Sequence, residues 1–147
     1  MSRRLARETA LQVLFQKDLT KDALHTEQAV ECWADEFGVP EASRIFARQL
    51  VNGTLENLAE IDNRIASYAQ EWALNRMAYV DRNVMRLASF EILYCPEIPG
   101  RVSLNEAIEL AKCFGGEDSA KFVNGILDKV VESVRKAEGK DPLNGFV

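Results

Sequence analysis

The sequence predicts an all-α fold of six or seven helices, and three observations support that class. Apolar residues recur at intervals of three and four over most of the chain, as on the buried face of a helix. No segment of useful length alternates between apolar and polar residues with the period of two that a strand requires. Glycines and prolines separate the helical segments, at 38–40, 96–100 and 115–116.

The first helix is predicted from Arg3 to about Leu19. Its apolar residues cover two faces, so we expect it to contact two neighbouring elements. Three arginines stand at its start, where cations oppose the helix dipole. They are either a solvated terminus or an arm for RNA phosphates that becomes ordered on binding. The apolar positions are Ala6, Ala10, Leu11, Val13, Leu14 and Phe15.

A polar loop at 20–25 precedes the second helix, predicted from about Thr26 to Phe37 and ended by Gly38 and Pro40. Its apolar face carries Val30, Trp33 and Phe37. The third helix is predicted from about Glu41 to Ala69, with a bend at Asn52-Gly53. Its apolar positions are Ile45, Phe46, Leu50, Leu55, Leu58, Ile61, Ile65 and Tyr68.

Residues 72–79 are predicted to be a transition with one short turn. Asp81 is the expected cap of a helix that continues to about Tyr94. This helix is apolar nearly all round, which places it at the centre of the fold. Glu91 lies on one of its apolar faces, so it is either buried against a cation or a backbone donor or reaches solvent past a small neighbour.

The next helix is predicted to open at Ser103-Leu-Asn-Glu106, which matches a capping box. Its core face holds Leu104, Ala107, Ile108, Ala111 and Phe114. Gly115-Gly116 ends it, and a final helix, capped by Asp118 or Ser119, runs to about Lys136. We expect residues 1–138 to form a single domain and 139–147 to be a loose C-terminal tail.

The final helix has an apolar stripe that we expect to face the core. The start of this helix differs from the stripe in composition, since Lys121, Phe122 and Asn124 follow an acidic pair. Because a helix start attracts phosphate, this segment is also a candidate for contact with nucleic acid. The spacing leaves Phe122 open between core and surface. If the start of the first helix folds beside this one, the two form a single positive patch with aromatic residues.

Composition favours a soluble globular protein of one domain. The 147 residues are 47% hydrophobic and 28% charged, and no apolar run is long enough to cross a bilayer. We therefore expect a cytoplasmic protein with no membrane contact. The net charge of −5 is uneven, since residues 1–17 carry +3 and residues 18–62 carry −7. Any nucleic acid is thus expected to meet a small basic site.

The sequence lacks the motifs of common enzyme classes, including nucleotide-binding glycine loops, G-x-S-x-G and H-E-x-x-H. One histidine and three widely spaced cysteines leave little scope for a triad or a metal site. We therefore predict no catalysis, no cofactor and no metal. What remains is recognition of single-stranded RNA, by cations that contact phosphates and rings that stack on bases. Seven residues are of the types that suit this role: Arg3, Arg4, Arg7, Lys112, Phe114, Lys121 and Phe122.

Four segments resemble the bacterial transcription antitermination factor NusB family over nearly the whole chain. They are Arg3-Arg-x-Ala-Arg-Glu-x-Ala10 with Leu14-Phe15, Asp81-Arg82 with Arg86-Leu-Ala-x-x-Glu-Ile-Leu93, Val102-Ser-Leu-Asn-Glu-Ala-Ile-Glu-Leu-Ala-Lys112, and Lys121-Phe-Val-Asn-Gly-Ile-Leu-Asp128. The last two are long and ordered, so the resemblance is specific.

The resemblance implies two three-helix subdomains, no catalytic activity and a role in RNA binding. Proteins of this family pair with the ribosomal protein NusE, and the heterodimer binds the boxA element of nascent RNA. It helps RNA polymerase in the elongation complex to pass terminators, particularly in ribosomal RNA operons. Phe15 and Asp81 lie where the family meets NusE. The RNA side comprises Arg3, Arg4, Arg7, Lys112, Phe114, Asp118, Lys121, Phe122 and Asn124.

Two departures from the family bear on these expectations. The basic arm is short, with only two residues before Arg3, which predicts low RNA affinity without NusE. Phe15 stands where tyrosine is common, so the ring is kept and a hydrogen bond is lost.

The resemblance leaves other functions to weigh against RNA binding. An rRNA methyltransferase, to which NusB-like domains are also fused, would need an α/β domain for which 147 residues leave no room. The alternative is a homodimeric helical module for protein interaction without a direct RNA role. This alternative predicts that the arginines are dispensable.

Overall fold

In the computed structural model, the described residues are 3–21 and 26–137, and they form helices and turns without a β-strand. This confirms the all-α class. The seven α-helices are α1 (Arg3–Thr20), α2 (Thr26–Phe37), α3 (Glu41–Glu56), α4 (Leu58–Tyr68), α5 (Tyr79–Tyr94), α6 (Gly100–Gly115) and α7 (Glu117–Ala137), with a 3-10 helix at Leu74–Arg76.

The helices pack as two groups of three. Helices α1, α2 and α3 contact one another, as do α5, α6 and α7, while α4 packs on α5 and α7. Helix α5 joins the groups because it also contacts α1 and α3. Its apolar residues are buried on several sides, which confirms its predicted central position. They are Val84, Met85, Leu87, Ala88 and Ile92.

Glycines end two of the helices as predicted. Gly38 follows α2 and Gly116 follows α6, with φ of 67° and 102°. A side chain at these positions would be strained, because residues other than glycine rarely adopt such angles. Only Gly116 separates α6 from α7, and the methyl groups of Val131 on α7 lie close to Gly100 at the start of α6. The two helices are therefore antiparallel neighbours.

The long third helix of the prediction is divided into α3 and α4 at Asn57. The break in the helix does not fall at Asn52-Gly53, where a bend was predicted, because α3 continues through both residues. Gly53 serves close packing instead: it is buried, and a Cβ there would overlap the ring of Phe90 on α5. Asn57 ends α3 by donating from Nδ2 to the carbonyl of Gly53 at 2.8 Å.

Three predicted helix caps are also wrong. Helix α5 begins at Tyr79, so Asp81 lies in its first turn. Helix α6 begins three residues before Ser103, which places the supposed capping box inside the helix. Helix α7 begins at Glu117, so Asp118 and Ser119 lie inside its first turn. In all three cases the chain turns into the helix earlier than the capping pattern indicated.

Some residues predicted to be in the core are exposed. Phe37 is 60% exposed, although its ring contacts Trp33 with centroids 4.4 Å apart. Ile45 and Phe114 are 46% and 40% exposed. Each lies at the edge of its apolar stripe, where helical spacing alone does not separate core from rim.

Several predictions fall on residues outside the described ranges. They concern residues 22–25 of the first loop and the C-terminal tail at 139–147. Across residues 3–21 and 26–137, every helix falls short of the length and apolarity needed to span a bilayer.

Candidate nucleic-acid and partner interfaces

The first two arginines of the predicted arm are exposed at the start of α1. Arg3 lies over the ring of Phe46 at 4.7 Å from its centroid. Arg4 donates from Nε and Nη2 to the carboxylate of Glu106 on α6, at 3.1 and 3.3 Å. The hydrogen bonds that Arg4 donates to Glu106 raise the pKa of Arg4, which stays a cation. The side chains of Arg3 and Arg4 are both exposed to solvent.

Arg7 is not part of an exposed arm, and that prediction is wrong. Its side chain is 3% exposed, and its Nη2 lies 2.7 Å from Oε1 of Glu91 on α5. Ser103 on α6 donates to the same carboxylate oxygen at 3.0 Å. Arg7 lies in the second turn of α1 and faces the core, where a cation needs a partner. The buried alternative for Glu91 is confirmed, and the three residues join α1, α5 and α6.

The start of α7 carries the second group of predicted RNA contacts. Lys121 and Asn124 are exposed, and Lys121 forms no ion pair with any residue in the described ranges. Phe122 is half-buried, which resolves the open alternative between core and surface: it packs against the core on one side. On its other side it meets Trp72 edge to face, with ring centroids 6.4 Å apart. Sequence reasoning missed Trp72 because its segment has no clear periodicity.

The end of α6 lies next to this surface. Lys112 pairs with Glu117 on α7 at 3.5 Å, and both side chains are largely exposed. Phe114 presents part of its ring to solvent, and Asp118 is exposed in the first turn of α7. Because an exposed pair is weak, phosphate can compete for Lys112.

The expectation of one continuous positive patch is wrong. Arg4 contacts α6 at Glu106, six residues before Lys112, which corresponds to about 9 Å along the helix axis. Helix α7 begins where α6 ends, whereas Arg4 lies beside the middle of α6. Glu106 and Glu109 lie near Arg4, so carboxylates separate the two basic regions.

The residues predicted to meet NusE lie together where α1 ends and α5 begins. Phe15 packs edge to face against Tyr79, with ring centroids 5.9 Å apart. Asp81 follows Tyr79 in the first turn of α5, and its Oδ1 is buried without a hydrogen bond to any residue that the structure describes. The partly exposed rings of Phe15 and Tyr79 at this junction suit contact with a protein partner.

The buried carboxylate of Asp18 supports this surface from the interior of the protein. Asp18 accepts hydrogen bonds from Arg82 Nε and Asn83 Nδ2 at 2.8 and 2.9 Å. Burial alone would raise the pKa of Asp18, but these bonds and the charge of Arg86 outweigh it and lower the pKa. Arg82 also lies over the ring of Tyr79, at 4.8 Å from the centroid. The network fixes Tyr79 in place.

The cysteines are free thiols in different surroundings. Cys32 and Cys113 are exposed, whereas burial raises the pKa of Cys95 to about 11. Cys113 lies between Lys112 and Phe114 in the last turn of α6.

Comparison with known sequences gives one family over most of the chain. Residues 4–132 match the NusB family. The chain is 58% identical over 140 residues to the transcription antitermination protein NusB of Desulfitobacterium hafniense strain DCB-2, covering 95% of both chains. It is 55% identical to the NusB protein of Desulforamulus reducens, covering 93% of this chain and 94% of the relative.

Solved structures agree with the sequence comparison. The fold is similar to Thermotoga maritima NusB with a TM-score of 0.84 and 40% identity, over 99% of this chain and 97% of that one. It is also similar to a chain in a complex of the antitermination factors NusB and NusE with double-stranded RNA. There the TM-score is 0.80 and the identity 26%, over 90% of this chain and 99% of the other.

Proposed function

The chain belongs to the NusB family of transcription antitermination proteins, and from that premise we propose that it pairs with ribosomal protein NusE and binds the boxA element of nascent RNA. The family acts by binding, and no catalytic step is part of this function. The observation that carries the proposal is the surface at the start of α7, where Lys121, which forms no ion pair within the described residues, precedes the partly buried ring of Phe122.

The RNA side of the proposal uses two regions. At the start of α7, Lys121 supplies charge for a phosphate, Phe122 supplies a ring for a base, and Asn124 supplies a side-chain amide. Lys112, Phe114 and Asp118 border this region. About 9 Å further along α6, Arg3 and Arg4 are placed for the phosphates of neighbouring nucleotides. Arg7 acts indirectly, by holding α1 against α5 and α6.

The partner side is the surface formed by Phe15, Tyr79 and Asp81. It lies at the junction of α1 and α5, whereas the RNA contacts lie on α6, α7 and the start of α1. Partner and RNA therefore occupy different parts of the molecule and can be bound together. The similar chain in the complex of NusB and NusE with RNA supports this arrangement.

The resulting complex acts on the elongating RNA polymerase. By holding boxA RNA while NusE is bound, the protein promotes read-through, particularly in ribosomal RNA operons. This role places it in the cytoplasm, where nascent RNA is made. A homodimer that covers the RNA surface is a competing state, and dilution or RNA would dissociate it.

The test is a fluorescence-anisotropy titration of a boxA RNA with this protein, alone and with equimolar NusE, at two salt concentrations. A scrambled RNA of the same length is the specificity control. We expect weak binding by the protein alone, and tighter, sequence-selective and salt-sensitive binding with NusE. Equal, weak binding of both RNAs with and without NusE would contradict the proposal and favour a helical module for protein interaction only.

A further inference from the structure

Trp72 is a large aromatic residue that the core does not use. Its side chain is 56% exposed, and it is absent from the residues packed against the hydrophobic core. It touches Phe122 with an interplanar angle of 79°, so the edge of one ring meets the face of the other. This contact is worth about 0.5–1.5 kcal/mol and leaves much of the indole free for another ring.

The segment that carries Trp72 is held in place at both ends. The amide of Trp72 donates to the carbonyl of Ala69 at 2.8 Å, which closes a turn after α4. Two residues later the carbonyl of Leu74 accepts from Arg82 Nη1 at 2.9 Å, and Leu74 packs against the core. The indole is therefore positioned before any ligand arrives, which lowers the entropy cost of binding.

The charges around this ring pair suit a nucleic acid. Lys121 directly precedes Phe122, and Arg76 ends the 3-10 turn that follows Trp72. Both cations are exposed and form no ion pair within the described part of the chain. Glu71 and Asp118 are exposed as well, so the local field is mixed rather than strongly positive. Ring stacking can therefore add to the phosphate contacts of Lys121 and Arg76, as in proteins that bind single-stranded nucleic acid.

We propose that Trp72 and Phe122 form one platform on which an unpaired nucleobase of the RNA stacks, with Lys121 and Arg76 at the flanking phosphates. The inference rests on the proposed function and extends its RNA surface from α7 onto the connector between α4 and α5. The occupant is single-stranded RNA, because the exposed ring of Trp72 and the partly buried ring of Phe122, with exposed cations near them in sequence, suit its alternating bases and phosphates.

Intrinsic fluorescence tests the stacking of a base on Trp72 directly, because the chain has only two tryptophans. In a Trp33→Phe background, Trp72 is the only tryptophan of this chain, and excitation at the long-wavelength edge of its absorption avoids the three tyrosines. The RNA is the boxA oligonucleotide added to the protein with NusE bound, and a parallel series replaces one base at a time with an abasic site. We expect RNA to quench Trp72 emission, and one abasic position to remove most of the quenching.

Affinity measurements on variants provide the second readout. Trp72→Ala is expected to raise the Kd for RNA by roughly 5- to 150-fold, the range that loss of one stacked base predicts. Trp72→Phe keeps a ring and is expected to restore most of the affinity. Phe37→Ala removes a similarly exposed aromatic ring on α2 and is expected to leave the Kd for RNA unchanged. A midpoint of thermal unfolding that falls in Trp72→Ala by no more than a few degrees, as loss of the contact with Phe122 predicts, would show that the larger loss concerns binding.

Other results would overturn the inference. If the wild-type chain binds RNA while Trp72→Ala binds equally well and no quenching occurs, the platform is wrong and the proposed function stands. If Trp72→Ala weakens binding of NusE or self-association instead, the ring is a protein contact. If the wild-type chain with NusE binds no RNA, the proposed function fails and this inference fails with it.

Discussion

At the scale of single residues, Arg4 and Arg7 have opposite environments although they stand three positions apart. Arg4 lies at the surface with Glu106, while Arg7 is enclosed with Glu91 and Ser103. The sequence predicted both as members of one basic arm. Helical spacing could have separated them, because Arg7 shares a face with Ala10 and Leu14, both of which are buried.

Replacing Arg7 therefore tests stability more than RNA binding. Arg7→Met is expected to lower the free energy of unfolding by about 3–5 kcal/mol, because it leaves the Glu91 carboxylate buried without a cation. Urea denaturation measures this loss. The matched variant Arg4→Met should leave the midpoint nearly unchanged while weakening RNA binding. Equal midpoints for the two variants would refute the assignment of Arg7 to the core.

Asp18 makes stability depend on pH in a defined direction. Its pKa in the folded chain lies below the unfolded value of about 3.9, so the ionised group stabilises the fold above that pH. The contribution is lost as pH falls through the folded pKa. Asp18→Asn should thus cost about 1–3 kcal/mol at pH 7 and progressively less below pH 4. A stability difference that stays constant from pH 7 to pH 2 would argue against this account.

At the scale of elements, the sequence predicted most helices because their apolar stripes are long and glycine or proline ends them. The helix starts were less predictable. Ser103 matches a capping box, yet its hydroxyl bonds Glu91 inside the fold. Local pattern cannot reveal that use, because the partner lies on another helix. The same holds for Gly53, whose role depends on the ring of Phe90 across the α3–α5 contact.

Gly53 offers a test of that contact. Gly53→Ala should destabilise the fold by about 1–3 kcal/mol, because the added methyl group displaces the ring of Phe90. Thermal and urea unfolding would measure the effect. Gly125→Ala on α7 is the matched control: open space surrounds its Cβ, so helix propensity should raise stability by roughly 0.5–1 kcal/mol.

The double variant Gly53→Ala, Phe90→Leu isolates the cause. Since leucine is smaller than phenylalanine, the pair should be less destabilising than the sum of the two single changes. If the losses of stability from the two single changes simply add in the double variant, Gly53 is required for another reason.

At the scale of the whole molecule, the fold decides which predicted site residues act together. The resemblance to the family placed Lys121, Phe122 and Asn124 at the start of one helix, and the structure keeps them on the surface of α7. Sequence could not show that Trp72 joins them from the connector after α4. Nor could it show that Arg4 meets Glu106 in the middle of α6, because both contacts depend on how distant segments pack.

The central claim is that RNA binds at the start of α7. It is tested most directly by comparing Lys121→Ala with Lys129→Ala, two exposed lysines on the same helix, in salt-dependent anisotropy titrations of boxA RNA with NusE bound. We predict that Lys121→Ala weakens binding and lowers the salt slope by about 0.7–1, the value of one lost phosphate contact, while Lys129→Ala matches wild type. Equal slopes for all three proteins would contradict the claim.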